Sequence, residues 1–250
     1  MTKEINFSPG LRRTFALAKK ELFSYLYTPA FYGAAVFFLL FSSISLFYFQ
    51  RYFTLNSATL RPYFSSFPLI FILVIPVLTM KSWAEERKTG SIEILLTMPF
   101  SEWNLVLGKF LSAYAMLVMM LILTLPVPLS LLPLGDFDGG VILGEYIGAL
   151  LMGASSVALG LLFSSLSKSQ AGGFISSAVA LLVFMMIHQL TMFLSLPHWL
   201  SEVINFFSLS FHFNTFIKGL VDSRHLVYYL LSTAIFLFLN TRVILFRKWN

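Results

Sequence analysis

Leu105-Val-Leu-Gly-Lys-Phe-Leu-Ser-Ala-Tyr-Ala-Met-Leu-Val-Met-Met-Leu-Ile-Leu-Thr-Leu-Pro-Val-Pro-Leu-Ser-Leu-Leu132 contains a single charged side chain, Lys109. A helix needs about 20 apolar residues to cross a hydrocarbon core roughly 30 Å thick. This run exceeds that length, so it must tilt, or break at Pro126 and Pro128. Five further runs flank it: Pro29 to Phe49, Phe64 to Met80, Val141 to Phe163, Gly172 to Leu196 and Leu226 to Leu245. The pattern predicts an all-α polytopic membrane protein with six transmembrane helices. Five spans plus a re-entrant segment is the competing count. Residues 1-28 are expected to form a tail and an interfacial helix, and residues 29-250 the transmembrane domain.

Composition agrees. The chain has 250 residues, 58% hydrophobic and 11% charged, with 28 Phe and a mean hydropathy of +0.82. A soluble domain carries about a quarter charged residues. The net charge of +6 does not form one patch. Basic residues lie between apolar runs, which argues against nucleic acid as a partner. The absence of Cys excludes disulfides, thiol catalysis and Cys-ligated metals. Met1 to Gly10 is polar and no small-residue cleavage motif follows, so no cleavable signal is expected.

An even number of spans puts both termini on one side. Of the 17 basic residues, only Arg51, Arg61, Lys218 and Arg224 fall on the other side, and the remaining thirteen share the side of the termini. The positive-inside rule then places both termini in the cytoplasm, with the chain in the inner (plasma) membrane.

Before the first span, Leu11 to Tyr27 is amphipathic. Leu11, Phe15, Ala18, Leu22, Tyr25 and Leu26 share one helical face, and Arg12, Arg13, Lys19, Lys20 and Ser24 share the other. That pattern suits a helix lying in the membrane plane among lipid headgroups.

The segment Lys81 to Lys109 concentrates charge: Lys81, Glu85, Glu86, Arg87, Lys88, Glu93, Glu102 and Lys109. Gly90 breaks it. Ser91 can cap a short helix that Pro99 follows, with Ile92, Leu95 and Leu96 on one face and Glu93 and Thr97 opposite. Such a helix, too short to span, fits a groove on a partner. Packing on headgroups is the plainer reading.

The run Trp83-Ala-Glu-Glu-Arg-Lys-Thr-Gly-Ser-Ile-Glu-Ile-Leu-Leu-Thr-Met-Pro99 resembles the cytoplasmic loop of ABC-2 type transporter permeases. It is most similar to their gliding-motility-associated and copper-processing branch. The resemblance continues through Gly108-Lys109-Phe110, Gly160 to Gln170 and Phe213 to Arg224. It implies a permease subunit with an N-terminal elbow helix and a cytoplasmic coupling helix in the loop 81-104. That helix would dock on a separate ABC ATP-binding subunit, with Glu85, Glu86, Arg87 and Gly90 as a collar around the inserted Ile92, Leu95 and Leu96. ATP and Mg would be used by that partner, and a second permease subunit would complete a homodimer or heterodimer. Export, or another translocation across the membrane, is the implied activity. The outer segment 197-224 would hold short interfacial helices.

No P-loop motif occurs in the sequence, so any ATPase activity belongs to another polypeptide. No catalytic set is legible, the four His residues have no zinc-ligand spacing, and neither catalytic residues nor a metal site are expected. His188 and Gln189, polar and within the fifth span, are candidate pathway residues, with an interhelical hydrogen bond as the plainer role. Glu145 is expected near the outer end of the fourth span, within reach of water. Gly144, Gly148, Gly153 and Gly160 give that span a small-residue face, for packing within the subunit or for a dimer seam. An ion-coupled secondary carrier would favour internal repeats or charged midplane residues, which the sequence lacks. A non-transporting membrane scaffold or assembly factor would have no ATPase partner.

Overall fold

Thr28 is the corner at which the chain turns into the bundle. Its backbone is extended, and Pro29 opens the next helix at a position where a missing N–H costs nothing. A computed structural model describes residues 9–50, 52, 58–88, 90, 101–193 and 197–248. On either side of the corner lie α1 (Pro9–Leu26) and α2 (Pro29–Ile44), the latter prolonged by a π-helical turn at Ser45–Phe49. There follow α3 (Arg61–Ser65), α4 (Phe67–Lys88), α5 (Glu102–Leu123), α6 (Pro126–Leu131), α7 (Gly139–Leu166), α8 (Gln170–Phe193), α9 (His198–Phe207), α10 (Leu209–Ile217) and α11 (Ser223–Lys248). No strand occurs among the described residues.

Among the described residues, six helices are long and apolar enough to cross a membrane: Pro29–Phe49, Phe67–Arg87, Glu102–Leu134, Gly139–Leu166, Gln170–Gln189 and Ser223–Phe246. The long third run breaks where expected. The α5 helix ends before Pro126, which opens α6, and Thr124 Oγ1 at the break bonds Leu121 O (2.6 Å) and Tyr146 Oη (3.0 Å). The second differs from expectation, because α4 runs past Met80 to Lys88. Ser82, Trp83 and Ala84 are buried, so packing carries the helix through a stretch whose charges suggest a loop.

The bundle has a centre. In α7, 72% of the most apolar window is buried, against 28% in α11, and α7 packs against α4, α8, α10 and α11. Its glycines permit this. A Cβ on Gly148 would lie 2.4 Å from Phe216, on Gly153 2.4 Å from Leu117, and on Gly160 2.7 Å from Thr79. The small-residue face thus serves packing within the subunit. The outer helices keep large apolar side chains exposed: Val36, Phe37 and Leu40 on α2, Ile175, Val179 and Leu182 on α8, and Leu230, Leu231 and Ile235 on α11. Apolar surface on this scale suits lipid or a partner and not water.

The bundle's two ends differ. At one, called the elbow end, lie α1, the end of α4, the start of α5 and the Ser167–Ser169 turn. At the far end Phe38, Tyr63, Phe64, Phe67 and Phe71 form an aromatic cluster around Phe67, with ring centroids 4.9 to 6.1 Å from it. The outer segment 197–224, rich in Phe, divides there. Trp199, Val203, Phe206 and Phe207 on α9 are exposed, whereas Leu209, Phe213, Phe216 and Ile217 on α10 are buried.

Candidate functional site

Lys109, the one charge between Leu105 and Leu132, lies one turn past Leu105 in α5 and is 1% exposed. An ammonium there must find acceptors. It has three N–H donors and three partners: Glu86 Oε1 at 2.6 Å, Ser82 O at 2.7 Å and Glu21 Oε1 at 3.2 Å. The Trp83 ring lies 4.9 Å away, a favourable cation–π distance. One side chain on α5 therefore joins the last turns of α4 to α1.

The elbow helix is shaped to receive it. Thr14, Ala18 and Tyr25 are buried on the same face as Glu21, one helical row apart, and Leu17 fits over Gly108, where a Cβ would meet it at 2.8 Å. Burial, with Glu21 adding to it, pushes the Tyr25 phenol well above its ordinary value, so it stays neutral. Phe15 and Phe23 are exposed. The apolar face assigned from sequence is therefore divided: Leu22, Tyr25 and Leu26 pack on the bundle, Ala18 is buried, and Phe15 is exposed. The reason is that the buried stripe centres on Glu21, a residue no hydrophobicity pattern would place inside.

A second tie lies one residue beyond. Arg87 Nη1 donates to Ser167 O and Nη2 to Ser165 O. These carbonyls close the C-terminus of α7, where a cation also complements the helix dipole. Gly90, exposed with φ +70°, donates its N–H to Arg87 O (3.2 Å), the left-handed turn that glycine favours after a helix.

Of the site residues expected from sequence, Glu86 and Arg87 thus turn inward, Glu85 is exposed and Gly90 turns the chain. Ile92, Glu93, Leu95 and Leu96, expected as the inserted face of the coupling helix, lie outside the described residues. Lys109, Glu21 and Trp83 were missed. A lone charge in an apolar run was the available signal for Lys109. Nothing in the sequence signals its bond to Glu21, 88 residues away.

His188 Nδ1 lies 3.1 Å from Ser208 Oγ and 3.1 Å from Met185 O, fastening α8 to the turn between α9 and α10. Gln189 lines a cavity of about 390 Å³ with Ser45, Gln50, Ser65, Ser66 and Ser210. Glu145 is not within reach of water: it is fully buried, because α3 and α10 pack over the outer part of α7. His212 and His225, distant in sequence, have Nδ1 atoms 2.6 Å apart.

Six apolar spans, an elbow helix and short far-end helices define a multi-pass, all-helical membrane protein. Residues 49–242 match the family model for ABC-2 family transporter protein, and the chain belongs to that family. It is thus the membrane component of a transporter, a permease and not itself an enzyme, and the family implies an ABC ATP-binding partner. The match begins after α2 and covers α3 to most of α11, including both Lys109 and Arg87. No curated protein matches the chain.

Proposed function

We propose that this chain couples ATP hydrolysis on a separate ATP-binding subunit, which uses ATP and Mg, to export or another translocation across the membrane. The supporting observation is how the roots of the loop between Lys88 and Ser101 are held. The Lys109 ammonium ties the end of α4 to the start of α5 and to α1. Arg87 ties α4 to the end of α7. A load applied to the loop would reach α1, α4, α5 and α7 together, and α4 and α7 are the most buried spans. Moving them repacks the centre of the bundle. Packed interiors respond by discrete rearrangement and not by gradual flexing.

In this reading the segment Ser91 to Thr97 is the coupling helix, and Ile92, Leu95 and Leu96 enter a groove of the ATP-binding subunit beside Glu93. The elbow end faces the cytoplasm, as the distribution of basic residues supports, and the chain sits in the inner (plasma) membrane. Two permease subunits, identical or paralogous, pair with two ATP-binding subunits, because each coupling loop serves one groove. Membership of the gliding-motility-associated and copper-processing branch rests on the run Trp83 to Pro99, and the genes beside this one test it.

Leu95→Glu tests the docking. A carboxylate forced into an apolar groove has no partner there and is costly to bury. The ATP-binding subunit should be lost on co-purification while membrane insertion stays normal. Unchanged co-purification refutes the reading.

A further inference from the structure

A trough runs down the bundle from its far end, between α8, α9 and α11. Phe184 on α8, Phe206 on α9 and Arg224, Tyr228, Leu231 and Ile235 on α11 line it, around a cavity of about 340 Å³. The α11 residues recur at helical spacing on one face, and from Arg224 to Ile235 that face is about 16 Å long at 1.5 Å per residue. Phe206, Leu231 and Ile235 are exposed, so the trough opens sideways on a helix that is long and apolar enough to cross the membrane. Its wall is anchored from behind by α10. The Tyr228 ring stacks on His212 with centroids 3.7 Å apart, and His212 Nε2 lies 3.0 Å from Phe206 O. Charge is confined to one end. Among the described residues, Arg224, exposed in the first turn of α11, is the sole charged side chain on the wall. Asp222 accepts the Arg224 backbone N–H at 2.9 Å, and Glu202 on α9 lies 3.5 Å from His198.

We propose that this trough holds one acyl chain of an anionic phospholipid, with the lipid phosphate on the Arg224 guanidinium. The order of polarity along the wall is that of the lipid: a cation where α11 enters the membrane, then apolar side chains toward its middle. The guanidinium fork matches phosphate oxygens, and a charged acceptor makes the stronger hydrogen bond. Below it, a polar ligand would lose its water without gaining partners, whereas an acyl chain loses nothing. A free phosphate would leave the apolar wall unfilled. The site stands apart from Lys109 and Arg87, and it does not depend on an ATP-binding partner.

The test places the full chain in bilayers of phosphatidylcholine, which has no net charge, with a trace of phosphatidylglycerol carrying a diazirine in one acyl chain. A phosphatidylcholine with the same chain is the control, and photoadducts are mapped by mass spectrometry. Adducts at Phe184 and Ile235 should exceed those at Leu40, a lipid-facing residue of α2. They should favour the anionic lipid about fivefold, the attraction expected of one cation near the surface. Arg224→Gln should bring the two lipids level while adducts in the trough persist. Leu231→Trp fills the trough with Arg224 intact, and should remove the excess at Phe184 and Ile235 for both lipids. Both replaced side chains are exposed, so neither change disturbs the core. The proposal is overturned by labelling no greater in the trough than at Leu40, by equal labelling with the two lipids in the native chain, by a preference that survives Arg224→Gln, or by an excess that survives Leu231→Trp.

Discussion

Lys109 carries the strongest single consequence. Its ammonium is the common counter-charge for Glu21 and Glu86, whose side chains are 17% and 14% exposed. Lys109→Met removes that charge and leaves two carboxylates facing each other across a largely buried site. Breaking a buried pair by removing one partner costs about 3–5 kcal/mol. Chemical unfolding in detergent should show a loss near the lower bound, since both carboxylates keep some contact with water. The triple replacement Glu21→Gln, Glu86→Gln, Lys109→Met should recover much of it, because it leaves no unpaired charge. Loss of the same size in the triple variant would show that packing of the lysine stem, and not charge, holds the site. From the sequence Lys109 reads only as a lone charge near the start of an apolar run. Its role depends on α1 folding back along α5, a tertiary fact with no local signal.

Among the elements, α10 is joined to α11 by a chain of neutral rings. Thr215 Oγ1 lies 3.0 Å from His225 Nε2, the two Nδ1 atoms are 2.6 Å apart, and His212 Nε2 lies 3.0 Å from Phe206 O. One tautomer assignment satisfies every contact: Thr215 donates to His225, His225 to His212, and His212 to the carbonyl. Burial lowers the His212 pKa below its ordinary value of 6.5, with His225 adding to the effect. A depressed pKa means the unfolded segment binds the proton more readily than the folded one. The stabilisation is therefore complete above the ordinary histidine value and is lost as pH falls through it. The protection factors of residues 208–217, taken against intrinsic exchange at each pH, should fall from pH 7 to pH 5, and His212→Gln should flatten that dependence. Protection that is independent of pH in the native chain would refute the neutral-ring chain.

The α7 helix makes a different prediction. Gly153→Val places its Cβ within 2.4 Å of Leu117, and the crowding should cost about 1–3 kcal/mol. A variant that folds normally but fails to dimerise would instead put that face at a seam between subunits. The glycine spacing of α7 is plain in the sequence. Which neighbour it admits is not, because Leu117 and Phe216 are brought to it only by the assembled bundle. Similarly, the short amphipathic α9 is legible from Trp199, Val203 and Phe206, whereas the inward packing of α10 is not. Both segments are rich in Phe, and hydrophobicity alone does not separate a lipid-facing ring from a core ring.

For the whole molecule, the spans were legible because apolar length is a local property. Their boundaries were less so: the continuation of α4 to Lys88 follows from burial of Trp83 against its neighbours, which outweighs the local charges. The candidate site divides in the same way. The importance of the Lys81 to Lys109 stretch was visible from its charge density, but the inward aim of Glu86 and Arg87 was not, since their partners lie on α5 and α7. Sidedness can be checked directly, because the chain has no Cys. A single cysteine at Lys168, in the elbow-end turn, should react with an impermeant maleimide only after the membrane is opened. One at exposed Trp199, on α9, should react in intact cells. The reverse pattern would invert the orientation.

The central claim is that a motor on another polypeptide engages the loop held by Lys109 and Arg87. Photocrosslinking in intact membranes tests it most directly, with a photoreactive amino acid at Leu95 and, as the opposite-end control, at Trp199. The account predicts an adduct between residue 95 and an ABC ATP-binding subunit, and none from residue 199. An adduct from residue 199 alone, or none from residue 95 with the ATP-binding subunit present, would contradict it.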